Sequence, residues 1–184
     1  ASEWHPTKNG ELKPEEFTGR NGKKVWWLCP KGHEYDSIIK NRTSKKPSGC
    51  PYCSGQMVGD DNNLKVLFPE IATEWHPTKN GDLHPTDVLA TSARRCWWLC
   101  EEGPDHEWIT EVRKRTGEKT NCPCCAGKKV SITNCLATLY PELAAEWDHE
   151  RNTVPPDRVV ARSNKKYAWR CNVADDHRWE APPG

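Results

Sequence analysis

Cysteine and histidine recur along this chain at the spacing of a metal-binding finger. The first set consists of Cys29, His33, Cys50 and Cys53. The second set consists of Cys100, His106, Cys122 and Cys125. Three thiolates and one imidazole make a closed tetrahedral ligand set, which is typical of structural zinc. Because the pattern returns, we expect small modules that are each built around a Zn²⁺ ion, with two complete sites.

Other cysteines fit the pattern only in part. Cys171 and His177 open a third set, but no Cys-x2-Cys pair follows them. Three states are open for this half-site: metal-free, loosely bound zinc, or ligands borrowed from another molecule. Cys124 lies inside the second pair, where it offers a less favoured Cys-x-Cys register. Cys96 and Cys135 have no repeat counterparts and are expected to be free thiols.

The composition agrees with modules that metal holds together. Only 35% of the residues are hydrophobic, and there are two Phe and one Met beside ten Trp and ten Cys. A single large aliphatic core is not expected, and small modules of this kind need metal or disulfides. The fixed Cys–His offsets and the lack of a signal peptide favour zinc over disulfides. Reduced cysteines predict an intracellular protein, cytoplasmic or nuclear, and no apolar run reaches the ~18 residues of a membrane span.

Self-comparison reveals a repeat of about seventy residues. The segment 3–10 returns unchanged at 74–81, and a weaker copy starts at Glu146. The period predicts three modules arranged as beads on a string: 1–56, 57–128 and 129–184. The first lacks its opening and the third lacks its second Cys pair, so we expect a piece of a longer array.

Each module is predicted to contain the same short elements. Asn63 can cap a helical turn at 64–67, and Pro69 can start a second turn. Asn134 and Pro141 stand at the matching places in the third module. Strands rich in Trp, Tyr and Val are predicted at 25–29, 96–100 and 167–171, and each leads through a turn into a returning strand. The expected fold class is a tandem of small α+β zinc modules, each with a β-hairpin, a knuckle and short helices.

Tryptophan supplies the expected core, since one Trp buries ~150–250 Å². The residues assigned to the core are Trp4, Trp27, Trp75, Trp98, Trp147 and Trp169. Trp26 and Trp97 are next to core residues on a strand and therefore face the other side. These two are candidates for stacking on a base or packing on a neighbouring repeat.

Basic residues cluster around the predicted hairpins although the net charge is only +1. Residues 1–53 carry ten Lys/Arg against six Asp/Glu, and residues 54–125 carry eight against twelve. The recurrence of the clusters beside exposed aromatic positions favours contacts with phosphates. The candidates are Arg20, Lys23, Lys24, Lys40, Arg42, Lys45, Lys46, Arg94, Arg95, Arg113, Arg115, Arg162, Lys165 and Lys166. Arg42 and either Arg113 or Arg115 are the candidates for base-edge contact, because a guanidinium can bond guanine through two hydrogen bonds.

No arrangement of residues predicts catalysis. The ligand sets leave no open metal position, and there is no phosphate-binding Gly-rich loop or paired acid–base set. His5 and His76 recur in the repeat, but Asp148 stands at the third position, which favours a role in a turn. The chain is therefore predicted not to be an enzyme.

The motifs together resemble a known repeat family. They are Cys-x3-His-x-Trp/Tyr, Gly-Cys-Pro-x-Cys-x-Gly and Leu-x3-Pro-Glu-Ile/Leu-Ala-x-Glu-Trp, and they cover nearly the whole chain. They are similar to the probable zinc-ribbon or treble-clef zinc-finger repeats, formerly of unknown function. That family occurs in tandem arrays and beside endonuclease-like domains, which implies nucleic-acid targeting. Longer acidic turns at 101–105 and 172–176, where the first module has Gly32, depart from the pattern and argue against equal contact by every repeat.

The sequence thus predicts a non-catalytic array of modules that zinc stabilises and whose basic residues bind duplex DNA. Three alternatives remain open at this point: a protein-interaction array, an RNA-binding array, and the targeting region of a larger nuclease. No membrane partner is expected.

Overall fold

Three antiparallel hairpins organise the computed structural model, which describes residues 2–174 and 176–183. Their strands are β1 (Lys24–Leu28), β2 (Glu34–Ile38), β3 (Arg95–Leu99), β4 (Glu107–Glu111), β5 (Tyr167–Arg170) and β6 (Arg178–Ala181). Each odd-numbered strand pairs with the strand that follows it. The strands begin and end within a residue or so of the predicted ranges, and the predicted fold class of small hairpin modules with short helices is confirmed.

Short helices follow or precede each hairpin. They are α1 (Ile39–Thr43), α2 (Leu64–Leu67), α3 (Pro69–Thr73), α4 (Val112–Thr116), α5 (Leu136–Leu139) and α6 (Pro141–Ala144). Single 3-10 turns occupy Pro14–Glu16, Pro85–Asp87 and Pro156–Arg158. No helix in the described residues has both the length and the apolar character needed to cross a membrane.

The predicted helix caps differ between copies. The Asn63 side chain accepts a hydrogen bond from the Val66 amide at 3.1 Å, so it caps α2 as expected. At α5 the cap position belongs to Cys135, which makes no capping bond. Asn134 instead donates to the carbonyls of Cys124 and Lys129, because it matches Asn62 and not Asn63 in the repeat. The predicted cap at Asn134 is therefore wrong by one residue, because the cap position of α5 is Cys135.

The chain divides into two compact units, Ala1–Pro69 with Pro85–Thr91, and Glu70–His84 with Ser92–Gly184. In the first unit, one core cluster consists of Val25, Trp27, Cys29, Tyr35, Ile39 and Cys50. In the second unit, one core cluster consists of Leu136, Trp147, Val159 and Trp169. These clusters are small, and each contains two buried aromatic side chains, in line with a composition rich in Trp and poor in aliphatic residues.

Edge-to-face tryptophan pairs lie at the centre of each hairpin module. The ring centroids are 5.7 Å apart in Trp4–Trp27, 5.4 Å in Trp75–Trp98 and 5.2 Å in Trp147–Trp169. Trp27, Trp98, Trp147 and Trp169 are buried, whereas Trp4 and Trp75 are half-buried. On the opposite face, Trp26 is exposed and Trp97 is half-buried. The strand alternation placed these rings correctly.

An asparagine side chain completes the outer edge of each hairpin's first strand. The Asn9 amide donates to the Trp26 carbonyl at 2.9 Å and accepts from the Trp26 amide at 2.8 Å. Asn80 forms the same pair of bonds with Trp97, and Asn152 forms it with Ala168. One side chain thus bonds both backbone groups of a residue at the outer strand edge, where the carbonyl also accepts the amide of His5, His76 or Asp148.

Candidate metal centres

The closed end of each hairpin brings a cysteine beside a histidine. The Cys29 amide donates to the His33 carbonyl at 3.0 Å, and Gly32 makes the tight turn possible with φ +86°. Cys100 closes on His106 with the same bond at 3.1 Å, although its turn is two residues longer. In this longer turn Gly103 lies against the imidazole, where a Cβ would come within 2.7 Å of the His106 ring. The longer turn therefore brings Cys100 and His106 together in the same way as Cys29 and His33.

A second turn supplies the remaining two thiols. In the first module the Ser54 amide donates to the Cys50 carbonyl at 3.0 Å, and Gly55 adopts a positive φ of 68°. The second module repeats this knuckle with a 3.0 Å bond from Ala126 to Cys122 and a φ of 66° at Gly127. In both knuckles, two thiols that are separated by two intervening residues point toward the same place.

The first ligand group has the dimensions of a tetrahedral zinc site. His33 Nδ1 lies 3.4 Å from Cys29 Sγ, 3.6 Å from Cys50 Sγ and 3.3 Å from Cys53 Sγ. The Cys29 and Cys53 sulfurs are 3.8 Å apart. Zn–S bonds of about 2.3 Å and Zn–N bonds of about 2.0 Å at tetrahedral angles give edges of about 3.8 and about 3.5 Å. The donor set and its spacing therefore fit zinc.

The second group fits equally well. Cys125 Sγ lies 3.4 Å from His106 Nδ1 and 3.7 Å from Cys100 Sγ. All four ligand atoms of each group, those of Cys122 included, lie within 4.8 Å of one another. Cys124 is buried outside this group, so the Cys-x2-Cys register is the one that the fold assembles. The chain carries two complete Cys3His groups, as predicted.

The ligand histidines are oriented by hydrogen bonds on the far side of the ring. Both use Nδ1 toward the thiols and leave Nε2 to donate elsewhere. His33 Nε2 lies 2.9 Å from Asp61 Oδ1. His106 Nε2 lies 2.6 Å from Thr133 Oγ1 and 3.1 Å from Ser131 Oγ. The carboxylate can only accept, so it fixes the His33 tautomer that has a lone pair at Nδ1. The hydroxyls behind His106 can accept from the same tautomer, and such partners tune a metal ligand.

Sequence reasoning missed these partners. Asp61 and Thr133 both stand eight residues after the last cysteine of their group, so a repeat alignment places them at one position. The signal was present, but neither residue type is itself a finger ligand in this motif, and the repeat carries a carboxylate in one module and a hydroxyl in the other.

Crowding of the thiols makes their ionisation depend on a cation. Burial raises the pKa of Cys29, but the backbone amide groups of His33 and Lys31 more than offset this and hold it at about 7. Burial and the neighbouring sulfurs raise the pKa of Cys53 to about 11 and that of Cys125 to about 12. Three adjacent thiols cannot all be thiolates unless positive charge is present, so zinc binding should release protons.

The third hairpin contains only part of a site. The Cys171 amide donates to the His177 carbonyl at 3.0 Å, so the hairpin end closes as in the other copies. No third Cys, His, Asp or Glu ligand lies with this pair within residues 2–174 and 176–183. The metal state of the half-site stays a prediction.

Two of the predicted nucleic-acid contacts are placed inside their modules. Arg42 is paired with Glu3, hydrogen-bonded to the Ser48 carbonyl and stacked on Trp27 and Tyr35 at 5.3 and 5.6 Å. Its side chain is only 10% exposed. A guanidinium held in this way is structural, and the expected base-edge contact does not fit it.

Arg115 repeats this arrangement in the second module. It lies 2.6 Å from Glu74, stacks on Trp98 and Trp108 at 5.3 and 5.4 Å, and is 3% exposed. Of the three arginines considered for base contact, only Arg113 reaches the surface, with 57% of its side chain exposed. The recurrence of both the arginine and the glutamate could have indicated an ion pair within the module.

The other predicted cations are exposed. They are Arg20, Lys23, Lys24, Lys40, Lys45, Lys46, Arg94, Arg95, Arg162, Lys165 and Lys166. Some have partners in their own module: Lys24 pairs with Asp36 at 2.5 Å, and Lys23 lies over the Phe17 ring. The outer tryptophans are also occupied, because Lys8 lies 4.7 Å from the Trp26 centroid and Lys79 lies 4.9 Å from that of Trp97. A base could stack there only if it displaced a lysine.

The recurring histidine builds a turn. His5 Nδ1 accepts the amides of Thr7 and Lys8 at 3.2 and 3.1 Å, and Nε2 donates to Glu34 at 2.8 Å. Hydrogen bonds from Lys8 and then His5 lower the pKa of Glu34. His76 and Glu107 form the same pair at 2.9 Å in the second module. These contacts support the turn role over a catalytic one.

In the third module an aspartate replaces this histidine. Asp148 Oδ1 accepts the amides of Glu150 and Arg151 at 3.1 and 3.2 Å, and Oδ2 accepts from Arg178 at 3.2 Å. Arg178 stands where the other modules have Glu34 and Glu107, so the charges of the pair are reversed.

The sequence matches a described family three times. A family model described as a probable treble clef zinc finger domain matches residues 1–56, 71–128 and 143–184. These segments cover most of the chain, and each contains one of the three hairpins. The resemblance inferred from the motifs is confirmed, and the description agrees with a structural role for the metal. No curated protein shows a significant match to the chain.

Proposed function

Because this chain belongs to the treble clef zinc-finger family, we propose that its modules bind duplex DNA and catalyse no reaction. The observation that carries the proposal is a pair of exposed cations directly before or at the start of the first strand in all three hairpins. The pairs are Lys23–Lys24, Arg94–Arg95 and Lys165–Lys166. Phosphate oxygens are the natural partner of cations repeated in this way along an array.

In the two complete modules the hairpin places a helix cation beside each pair. The Ile39 amide donates to the Lys23 carbonyl at 3.0 Å, which brings the start of α1 and the exposed Lys40 next to the pair. In the second module the Val112 amide donates to the Arg94 carbonyl at 3.1 Å, which brings Arg113 to the same place. We call these sets the basic patches: Lys23, Lys24 and Lys40 in the first module, and Arg94, Arg95 and Arg113 in the second.

The patches have the composition of a backbone-contacting surface. Lysine and arginine on phosphates set position and affinity but carry no sequence information. Arg113, which pairs with Glu111 at 2.6 Å in its own module, is the exposed one of the three arginines first considered for a base edge. Several modules on one chain would add their weak contacts through a high effective concentration.

A salt titration tests the proposal. The zinc-loaded chain is titrated into a fluorescent duplex of ~20 base pairs at several salt concentrations. We expect binding at low ionic strength that weakens linearly on a log–log plot. Charge reversal of the first patch (K23E, K24E, K40E) should reduce the slope by about three phosphate contacts, at about 0.9 per contact. The matched control reverses three lysines elsewhere in the first unit (K13E, K31E, K65E) and should keep more of the slope.

Several outcomes would contradict the proposal. Absence of salt-dependent duplex binding, or equal losses in the two triple variants, would refute the assigned surface. Stronger competition by single-stranded RNA would identify RNA as the ligand. Mg²⁺-dependent nicking of the duplex by this chain would refute a non-catalytic role.

A further inference from the structure

A linker segment docks on the second and third copies of the repeat through the same contacts. In the first unit, Asn63 forms an antiparallel bridge with Leu89, and the Leu64 amide donates to the Val88 carbonyl at 2.9 Å. In the second unit, Cys135 forms the equivalent bridge with Val160. We call residues 62–67 and 134–139 the linker segments, and residues 88–90 and 159–161 the acceptor edges.

The third copy shows the complete bonding pattern. The Leu136 amide donates to the Val159 carbonyl at 2.8 Å, and the Ala161 amide donates to the Asn134 carbonyl at 2.9 Å. The linker is therefore a short extended piece that pairs with the edge and then turns at once into a helix beginning with leucine.

Burial shows that this docking forms part of the core. Leu64 and Leu136, the first residues of α2 and α5, are both 0% exposed. The edges that receive them are buried as well: Val88, Ala90, Val159 and Ala161 are all at most 7% exposed. Both leucines are therefore withdrawn from water as fully as core residues are.

The first copy carries the same edge without a linker. Residues 17–19 correspond to 88–90 and 159–161, and each follows a 3-10 turn that begins with proline. Phe17 is half-buried, and Thr18 and Gly19 are exposed. The Phe17 carbonyl and the Gly19 amide, which match the bonded groups of Val159 and Ala161, make no hydrogen bond within residues 2–174 and 176–183. An open groove of about 860 Å³ borders this edge at Thr18 and Gly19, and its other lining residues are Arg20, Lys40, Thr43, Ser44 and Lys45.

We propose that the Phe17–Gly19 edge is a docking site for the linker segment of another zinc repeat. The occupant is a peptide of the chemistry of 62–67 and 134–139: an asparagine, one residue that forms the bridge, and a helix starting with leucine. Its leucine amide donates to the Phe17 carbonyl, and its asparagine carbonyl accepts from the Gly19 amide. The leucine side chain packs against Phe17, as Leu136 packs in the cluster that contains Val159. This docking does not depend on DNA binding.

Amide hydrogen exchange tests the proposal in an extended chain. A second copy of residues 57–73 is fused directly before Glu3, which reproduces the natural spacing to Glu74. In the zinc-loaded, ¹⁵N-labelled chain, we expect the Gly19 amide to exchange at least about tenfold more slowly than without the added copy. The Ala161 amide, which is already bonded to its own linker, serves as the internal reference and should not change.

Two substitutions within the added copy separate docking from unspecific protection. Replacing the leucine that corresponds to Leu64 with alanine (L64A in the copy) should abolish the protection of Gly19. Replacing the next residue, the exposed lysine (K65A in the copy), should preserve it. Equal exchange of Gly19 with and without the copy would overturn the proposal, and so would protection that survives L64A. Protection of Gly19 by a short DNA duplex but not by the copy would assign the groove to phosphate instead.

Discussion

The first two modules and the third share a hairpin but differ in what is attached to it. All three have the edge-to-face tryptophan pair, the asparagine bridge and the Cys-to-His closing bond. Only the first two assemble four ligands within the described residues. The backbone and the aromatic core therefore suffice to shape the hairpin end, and in the first two modules a second turn brings two further thiols to it.

A second contrast lies in one polar side-chain pair, which is His5–Glu34 in the first module and Asp148–Arg178 in the third. The His5 and Asp148 side chains each accept two backbone amides in the same turn, through Nδ1 and Oδ1. Their remaining atoms meet side chains of opposite charge, Glu34 in one module and Arg178 in the other. What the fold requires at this position is an acceptor for the turn, and the sign of the pair is free to change.

The strongest test removes a ligand, so that the first module has an incomplete site like the third. Cys53→Ser should release one of the two zinc ions and unfold the first module, because structural zinc contributes about 10–16 kcal/mol of apparent binding free energy. Metal analysis and tryptophan fluorescence measure both effects. Cys124→Ser, at a buried thiol outside the ligand group, is the control and should retain both ions. Two tightly bound zinc ions in Cys53→Ser would contradict the ligand assignment.

A second test removes the Arg115–Glu74 ion pair of the second module, which has no counterpart in the described part of the third module. Arg115→Ala leaves Glu74 without its buried partner and should lower the free energy of unfolding by about 3–5 kcal/mol. Arg113→Ala, two residues away and mostly exposed, should cost about 0–1 kcal/mol. Denaturant titration of both zinc-loaded variants checks this difference. Similar costs for the two would show that burial does not distinguish these arginines.

A third test compares the two complete sites through the partner of the ligand histidine. Asp61→Ala removes the carboxylate behind His33 and should weaken zinc at the first site about 10–100-fold. Thr133→Ala should weaken the second site less, because Ser131 Oγ still lies 3.1 Å from His106 Nε2. Competition with a chromophoric chelator measures the affinities. Asp60→Ala is the neighbouring control, and a loss there as large as in Asp61→Ala would refute the assigned contact.

The smallest expected effect comes from exchanging the polar pair of the third module for that of the first. Asp148→His and Arg178→Glu should each destabilise the chain, since each alone leaves a mismatched pair. The double variant should recover part of the loss, with a coupling energy of about 0.5–3 kcal/mol. Thermal unfolding of the four proteins gives this value. Strict additivity would show that the two side chains do not act as a pair.

The sequence was most informative where spacing alone fixes the chemistry. The eight ligands, the hairpins and the outward-facing Trp26 and Trp97 follow from repeat offsets and strand alternation. Arg42 and Arg115 were misread because α1 and α4 have only five residues each. A helix that short shows no periodicity to reveal which cation turns inward. Asp61 and Thr133 were missed because they act through a histidine that the motif already explained.

The filled outer edge of β1 has a consequence for how a tandem of near-identical modules avoids misfolding. Leu28 donates to the Glu3 carbonyl at 2.9 Å, His5 donates to the Trp26 carbonyl at 3.1 Å, and Asn9 takes the remaining amide of Trp26. Neighbouring copies of one sequence are held at high local concentration, where strand exchange and edge-to-edge aggregation are hazards. Because each first strand is paired by the residues that precede it in its own module, a neighbour finds no free strand edge there.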